Sequence, residues 1–278
     1  MVQKHTRKIA LIGTLALLFV LSACGTASKA GSPSPSQTLQ NSATAMSKLN
    51  EVHVDLQSTL NIQSSSSSTN GITFNVTGQA DAASPNQFSL HLALAQNPLF
   101  AMISTGNAIY LQKGNQQWYS IDSSKLSDGS QKSLSQGLPA SLGQILTILQ
   151  NATLTDKGLE TVNGQQLDHI TATLSPSALQ MLTTQLNSML PPDQQNAQNQ
   201  LKQGTMDLWI DPTTSYIHQA KLNATAQVDL NSLSSVTGQH TGGSLVVPVV
   251  LSAQLNFSKF NQPVSIQAPS NSVPYPQQ

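Results

Sequence analysis

The sequence predicts an α+β fold: a single curved antiparallel sheet, or half-barrel, with helices covering the concave face. Three observations carry this. Apolar residues alternate with polar ones over long runs, the period of strands with one buried and one wetted face. Two mid-sequence stretches switch to helical spacing. A sheet of nine or ten twisted strands curls rather than staying flat, and its apolar face then needs helices to cover it.

The elements read in order from an N-terminal address. Lys4, His5, Arg7 and Lys8 form a basic start, and Ile9 to Val20 is apolar except at Gly13 and Thr14. That length suits a signal-peptide core and falls short of the roughly 20 residues of a membrane-spanning helix. Leu21-Ser22-Ala23-Cys24 then matches a bacterial lipobox at every position. Small residues fit the peptidase cleft, and Cys24 alone offers a thiol for diacylglyceryl transfer. On this reading residues 1–23 are a lipoprotein signal and the mature chain starts at an acylated Cys24. The competing reading is an ordinary secretory signal cut near Ala30, which leaves Cys24 without a role.

Residues 24–36 are small and Ser/Pro-rich, the composition of a flexible tether. A single domain is expected over 37–278. Its first helix is read over Thr38–Leu49, with Leu39, Ala43, Met46 and Leu49 on one stripe and Ser36 as cap. Strands follow through Val52–Ile62, Ile72–Ala80 and Phe88–Leu94, separated by a Ser-rich turn and Pro85-Asn86. Met102–Gln112 and Gln117–Ile121 read as one hairpin around Lys113-Gly114-Asn115. Helical spacing at Leu138, Leu142, Ile145, Leu146 and Leu149 gives a second helix, with Pro139 in its first turn. Leu179, Leu182, Leu186 and Leu190 give a third, between Ser175-Pro176 and Pro191-Pro192. Strands recur around Ile170–Leu174 and Met206–Ile210. The longest alternations are Ala220–Leu230 and Leu245–Phe257. Residues 193–204 are Gln/Asn-rich and read as a loop.

Composition narrows the function. Without residues 1–23, nine Lys face twelve Asp and Glu, and no Arg remains because Arg7 is the only one. A nucleic-acid partner is excluded for want of a basic stripe, and guanidinium clamps on phosphate are excluded with it. One cysteine means that the fold does not rest on disulfides. The six histidines show no metal-ligand spacing, and no cofactor motif, nucleophile elbow or phosphate-binding loop occurs. Asp168-His169 are strand neighbours and point to opposite faces. Asp207 and Asp211 flank Trp209 too loosely for acid–base work. No enzyme activity, metal or cofactor is expected.

Five segments in order carry a resemblance: Ala43–Leu56, Asn107–Leu111 with Gln117-Trp118-Tyr119, Gly158–Gln165, Leu208-Trp209-Ile210-Asp211-Pro212, and Phe257–Pro269. Together they resemble the LppX/LprAFG family of bacterial envelope lipoproteins, and in architecture the LolA-type carriers. The resemblance implies a half-barrel whose mouth is covered by helices, enclosing acyl chains of a lipid or lipoglycan that the protein carries or presents in the cell envelope. It implies no catalytic residue. The Ser-rich first turn, the 193–204 segment and the Gly238–Gly243 insertion depart from the family pattern and leave the ligand open.

The candidate lipid-cavity residues are Phe74, Phe88, Leu90, Leu92, Leu142, Ile145, Leu146, Leu208, Ile210, Leu222, Val247, Val249 and Leu251. Alternation alone does not separate a lipid cavity from a packed core. Two functions therefore stand. One is a lipid-binding lipoprotein anchored through Cys24 to the outer face of the cell membrane, or to an outer membrane where one exists, with a transporter as a compatible partner. The other is a non-enzymatic interaction or sensor module with a filled interior.

Overall fold

The computed structural model describes residues 33–63, 71–125, 145–188, 200–229 and 246–276. The signal, Cys24, most of the tether and Leu142 lie outside them. Pro35–Gln278 forms one compact unit.

Helix α1 spans Pro35–Ser47. It starts earlier than the stripe of apolar residues indicates. Pro35 occupies the first turn, where its missing N–H costs nothing, so Ser36 is helical rather than a cap. Strands β1 (Glu51–Ile62), β2 (Ile72–Ala83), β3 (Gln87–Leu94), β4 (Asn97–Thr105), β5 (Ala108–Lys113) and β6 (Tyr119–Asp122) follow. Residues 145–149 are helical. Then come β7 (Thr153–Val162), β8 (Gln165–Thr173), α2 (Pro176–Ser188), β9 (Gln200–Ile210), β10 (Ile217–Asp229), β11 (Val246–Ser258) and β12 (Val273–Pro274).

These strands form one open sheet in the order β12-β6-β5-β4-β3-β2-β1-β11-β10-β9-β8-β7. All neighbours are antiparallel except the two-residue β12 beside β6. The chain walks outward from β1 to β6, resumes at the far edge with β7, and walks back to β11 beside β1. The first and last long strands therefore meet at the centre.

Three sequence expectations are corrected. Met102–Gln112 is not one strand: Gly106, at φ 89°, breaks it into β4 and β5. The 193–204 segment is not all loop, because β9 begins at Gln200. The strand count is twelve among the described residues, not nine or ten. The edge strand β7 is exposed on nearly every residue, so it carries no period-two signal, and β12 is too short to carry one.

Local chemistry explains the hairpins. Asn163-Gly164 joins β7 to β8 with φ 51° and 80°, the mirror-image turn that matches strand twist. Ala95-Gln96 makes the same kind of turn between β3 and β4, at φ 47° and 71°, without a glycine.

One face of the sheet holds the core. Val52 and Val54 (β1), Ala80 and Ala82 (β2), Phe88 (β3), Ile170 and Ala172 (β8), Leu208 and Ile210 (β9), Ala220 (β10) and Phe257 (β11) are buried in one cluster. Leu39 and Met46 of α1, Leu146 and Leu149, and Ala178, Leu179 and Leu182 of α2 belong to the same cluster. Each such Leu, Ile, Val or Phe contributes up to about 1.5–3 kcal/mol through burial. Between Leu39 and Met46, the fully buried Ser42 donates its hydroxyl to the Ser215 carbonyl at 2.8 Å. That bond ties α1 to the turn between β9 and β10.

The opposite face is polar and is held by cross-strand side-chain pairs. Gln219 donates to Asn256 at 2.8 Å, Ser252 to Asn223 at 3.0 Å, and Asn61 to Thr73 at 2.9 Å. Uncharged amides and hydroxyls do here what ion pairs do on more charged proteins.

Candidate functional site

Antiparallel register places directly opposed residues on the same face. Leu60 of β1 lies opposite Phe74 on one side and Leu251 on the other. Val76 lies opposite Leu94, and Leu92 opposite both Gly78 and Phe100. These residues share the face that holds the core, yet they stand outside the helix-packed cluster and are partly exposed. The apolar face thus has two ends. One is packed under helices. The other is not covered by any described helix, and its margin includes Ile72, which is 60% exposed.

Gly78 sits at the boundary. A Cβ there would come within 2.7 Å of Leu92 Cδ2 and 3.0 Å of the His91 carbonyl oxygen. Glycine lets the Leu92 side chain lie across β2.

The candidates named from sequence separate accordingly. Every strand candidate falls on this one face. Phe88, Leu208 and Ile210 are buried in the cluster, as is Leu146 from residues 145–149. Leu90, Ile145 and Leu222 are partly buried against it. Val249 is buried outside the cluster. Phe74, Leu92, Val247 and Leu251 are partly exposed. Leu142 and Cys24 lie outside the described residues.

The polar face holds groupings that sequence spacing did not reveal. His169 stacks on Trp209, its direct neighbour across β8 and β9, with centroids 4.5 Å apart and planes at 18°. Its Nδ1 lies 2.8 Å from Glu160 and its Nε2 3.2 Å from Asp207. Trp209 Nε1–H donates to the same Glu160 oxygen at 2.9 Å, and Thr171 donates to Asp207 at 2.6 Å. His53 has Asp81 at 2.7 Å and Asp55 at 3.5 Å. His169 is held by carboxylates from both neighbouring strands, and His53 by Asp81 of β2 and by Asp55 of its own strand. Among the described residues, no group of three or more such side chains could hold a metal ion.

Asp211 ends the Leu208–Asp211 run and shapes the next turn. Burial raises its carboxyl pKa. The N–H groups of Thr213 at 2.6 Å and Thr214 at 3.2 Å, the Thr214 hydroxyl and His218 more than offset this and hold it below its ordinary 3.8. Burial pushes His218 below its ordinary 6.5, and Asp211 opposes that shift from 3.9 Å.

An open groove of about 580 Å³ also lies mainly on the polar face, across β1 to β5 and β11. It is not the apolar region anticipated from sequence.

A family model described as LppX_LprAFG lipoprotein matches residues 34–266. The chain belongs to the LppX/LprAFG family. Its members are lipoproteins. Among solved structures, lipoprotein LppX of Mycobacterium tuberculosis is 16% identical, with a TM-score of 0.43 over 84% of this chain and 98% of that one. LprF from Mycobacterium bovis is 16% identical, with a TM-score of 0.44 over 86% and 99%. Comparison with curated proteins gives no match. Among the described residues of this LppX/LprAFG protein, no helix is long and apolar enough to cross a membrane.

Proposed function

We propose that this protein is a lipid-anchored envelope lipoprotein. It takes acyl chains against the less covered end of its apolar sheet face and carries or presents a lipid or lipoglycan. The observation that carries this reading is the set Leu60, Phe74, Val76, Leu92, Phe100 and Leu251, in register and partly exposed beside a helix-packed core. From Leu56 to Ile62 the strip runs about 20 Å along the strands, and from β4 to β11 about 19 Å across them. One leaflet of a bilayer core is about 15 Å deep, so the strip has the length of an acyl chain and the width of several.

Binding is enclosure rather than chemistry. Each methylene removed from water contributes about 0.8 kcal/mol. The sheet curves as a half-barrel with helices over the concave face, the head group sits at the mouth, and acylated Cys24 holds the domain to the membrane. One acyl chain anchors only marginally and two anchor stably. No covalent step on the ligand is required of any residue here.

Native mass spectrometry of the Cys24→Ser chain tests the reading. This variant should leave the detergent phase on partitioning, keep its fold and still carry lipid. A Phe74→Asp, Leu251→Asp chain should emerge lipid-free. If the Cys24→Ser chain folds but neither co-purifies with lipid nor takes it up, the enclosure reading fails and the interaction-module reading replaces it.

A further inference from the structure

We propose that the polar face of the sheet carries a second site, a groove for a neutral polyhydroxylated ligand of the glycan class. Short side chains on β2, β3 and β4 (Thr77, Ala93 and Ala101) give it its depth. Pro98 and the β5–β6 turn at Gly114-Asn115 stand at one end. That turn is fixed: Gly114 N–H donates to the Leu99 carbonyl at 2.9 Å, and the Gln112 amide donates to the Gln116 carbonyl at 2.8 Å.

Across this groove runs a row set by register. Asp55 lies opposite Gln79, Gln79 opposite His91, His91 opposite Ala101, and Ala101 opposite Gln112. Adjacent strands are about 4.8 Å apart, so the polar side chains of Asp55, Gln79 and His91 recur at close to the repeat of a pyranose chain, with Gln112 beyond Ala101. Their hydrogen bonding bears on this. At the groove's edge Asn256 accepts from Gln219 at 2.8 Å and Gln254 at 3.2 Å, and beyond the groove Ser252 bonds Asn223 and Thr59 bonds Asn75. In the groove, the side chains of Gln57, Gln79, His91 and Asn115 bond to no other described residue.

An amide offers a donor and an acceptor side by side, and a vicinal diol answers both. No Lys lines the groove and Asp55 is its one charge, so an anionic ligand would meet repulsion without compensation. The ligand chemistry is therefore neutral and hydroxyl-rich. Leu92 and Phe100 border both the groove and the acyl strip, but Thr77, Gln79, His91 and Ala101 are on the other face of the sheet from that strip.

The test is isothermal titration of the full chain in detergent micelles with maltohexaose, cellohexaose and an α-linked mannohexaose, with heparin as polyanion control. At least one neutral hexasaccharide should bind saturably, and heparin should not. A Gln79→Ala, His91→Ala chain should bind at least tenfold more weakly with an unchanged melting temperature. Both residues are exposed, so this change leaves the core intact. The hexasaccharide bound best should bind equally well to Phe74→Asp, free or attached to a lipid. No saturable binding by any of the three, binding indifferent to the double substitution, or binding lost in a folded Phe74→Asp chain would overturn the proposal.

Discussion

Leu208→Ala and Leu251→Ala make the same chemical change on the same face of the same sheet, and should give opposite readouts. Leu208 is 1% exposed and packed among helix and strand side chains. Its truncation loses transfer energy and leaves a cavity, a loss of about 3–4 kcal/mol. Leu251 is partly exposed, so water or neighbours fill the space, and only the transfer part is lost, about 1–1.5 kcal/mol. At about 2–4 °C per kcal/mol for a domain of this size, Leu208→Ala should melt about 6–16 °C lower and Leu251→Ala only a few degrees lower. Urea unfolding measures the difference directly, provided the slope of free energy on urea is unchanged between variants. Lipid uptake should reverse the order: Leu251→Ala loses about five- to tenfold in affinity for a fluorescent fatty acid, and Leu208→Ala changes little at temperatures where it is folded. Equal destabilisation by the two changes would refute the division of this face into a packed end and a receptive end.

Further outcomes rest on single contacts. Ser42→Ala removes the donor to the Ser215 carbonyl inside the helix-packed core and should cost about 1–2 kcal/mol in urea unfolding. Gln96→Gly relieves a left-handed residue in the β3–β4 turn and should stabilise by about 0.5–1 kcal/mol, a strained backbone outweighing glycine's extra freedom in the unfolded chain. Acid should destabilise through the β9–β10 turn. Asp211 and His218 both have folded pKa values below their ordinary 3.8 and 6.5. Each therefore contributes stability that is present above its ordinary value and is lost as pH falls through its folded value. Melting temperatures measured from pH 7 down to pH 3 should fall less steeply in a His218→Gln, Asp211→Asn chain than in the native one.

Much of the architecture was legible in the chain. Period-two runs at Val52–Ile62, Ala220–Val228 and Val247–Phe257 became strands on which the expected residues share one face, because side-chain direction alternates whatever the neighbours do. The break at Gly106 was not legible, since apolar residues continue on both sides and only a positive φ turns the chain. Nor was β7, whose edge position removes the burial that writes alternation into a sequence. The histidine–carboxylate groupings were invisible because Glu160, His169 and Asp207 come from three strands whose pairing no local pattern encodes.

Residue type and spacing were enough for the antiparallel class, the apolar face and the shortage of basic groups. Each of these depends on one strand, one helix or one short segment taken alone. Strand order and packing were needed to show which part of the apolar face lies under α1, α2 and residues 145–149, and which part stays partly open at Phe74, Leu92 and Leu251. They were needed also to bring the amides of Gln57, Gln79 and Asn115 around one groove on the other face. The reason is register: a one-residue slip between any two strands would send these side chains to the opposite face.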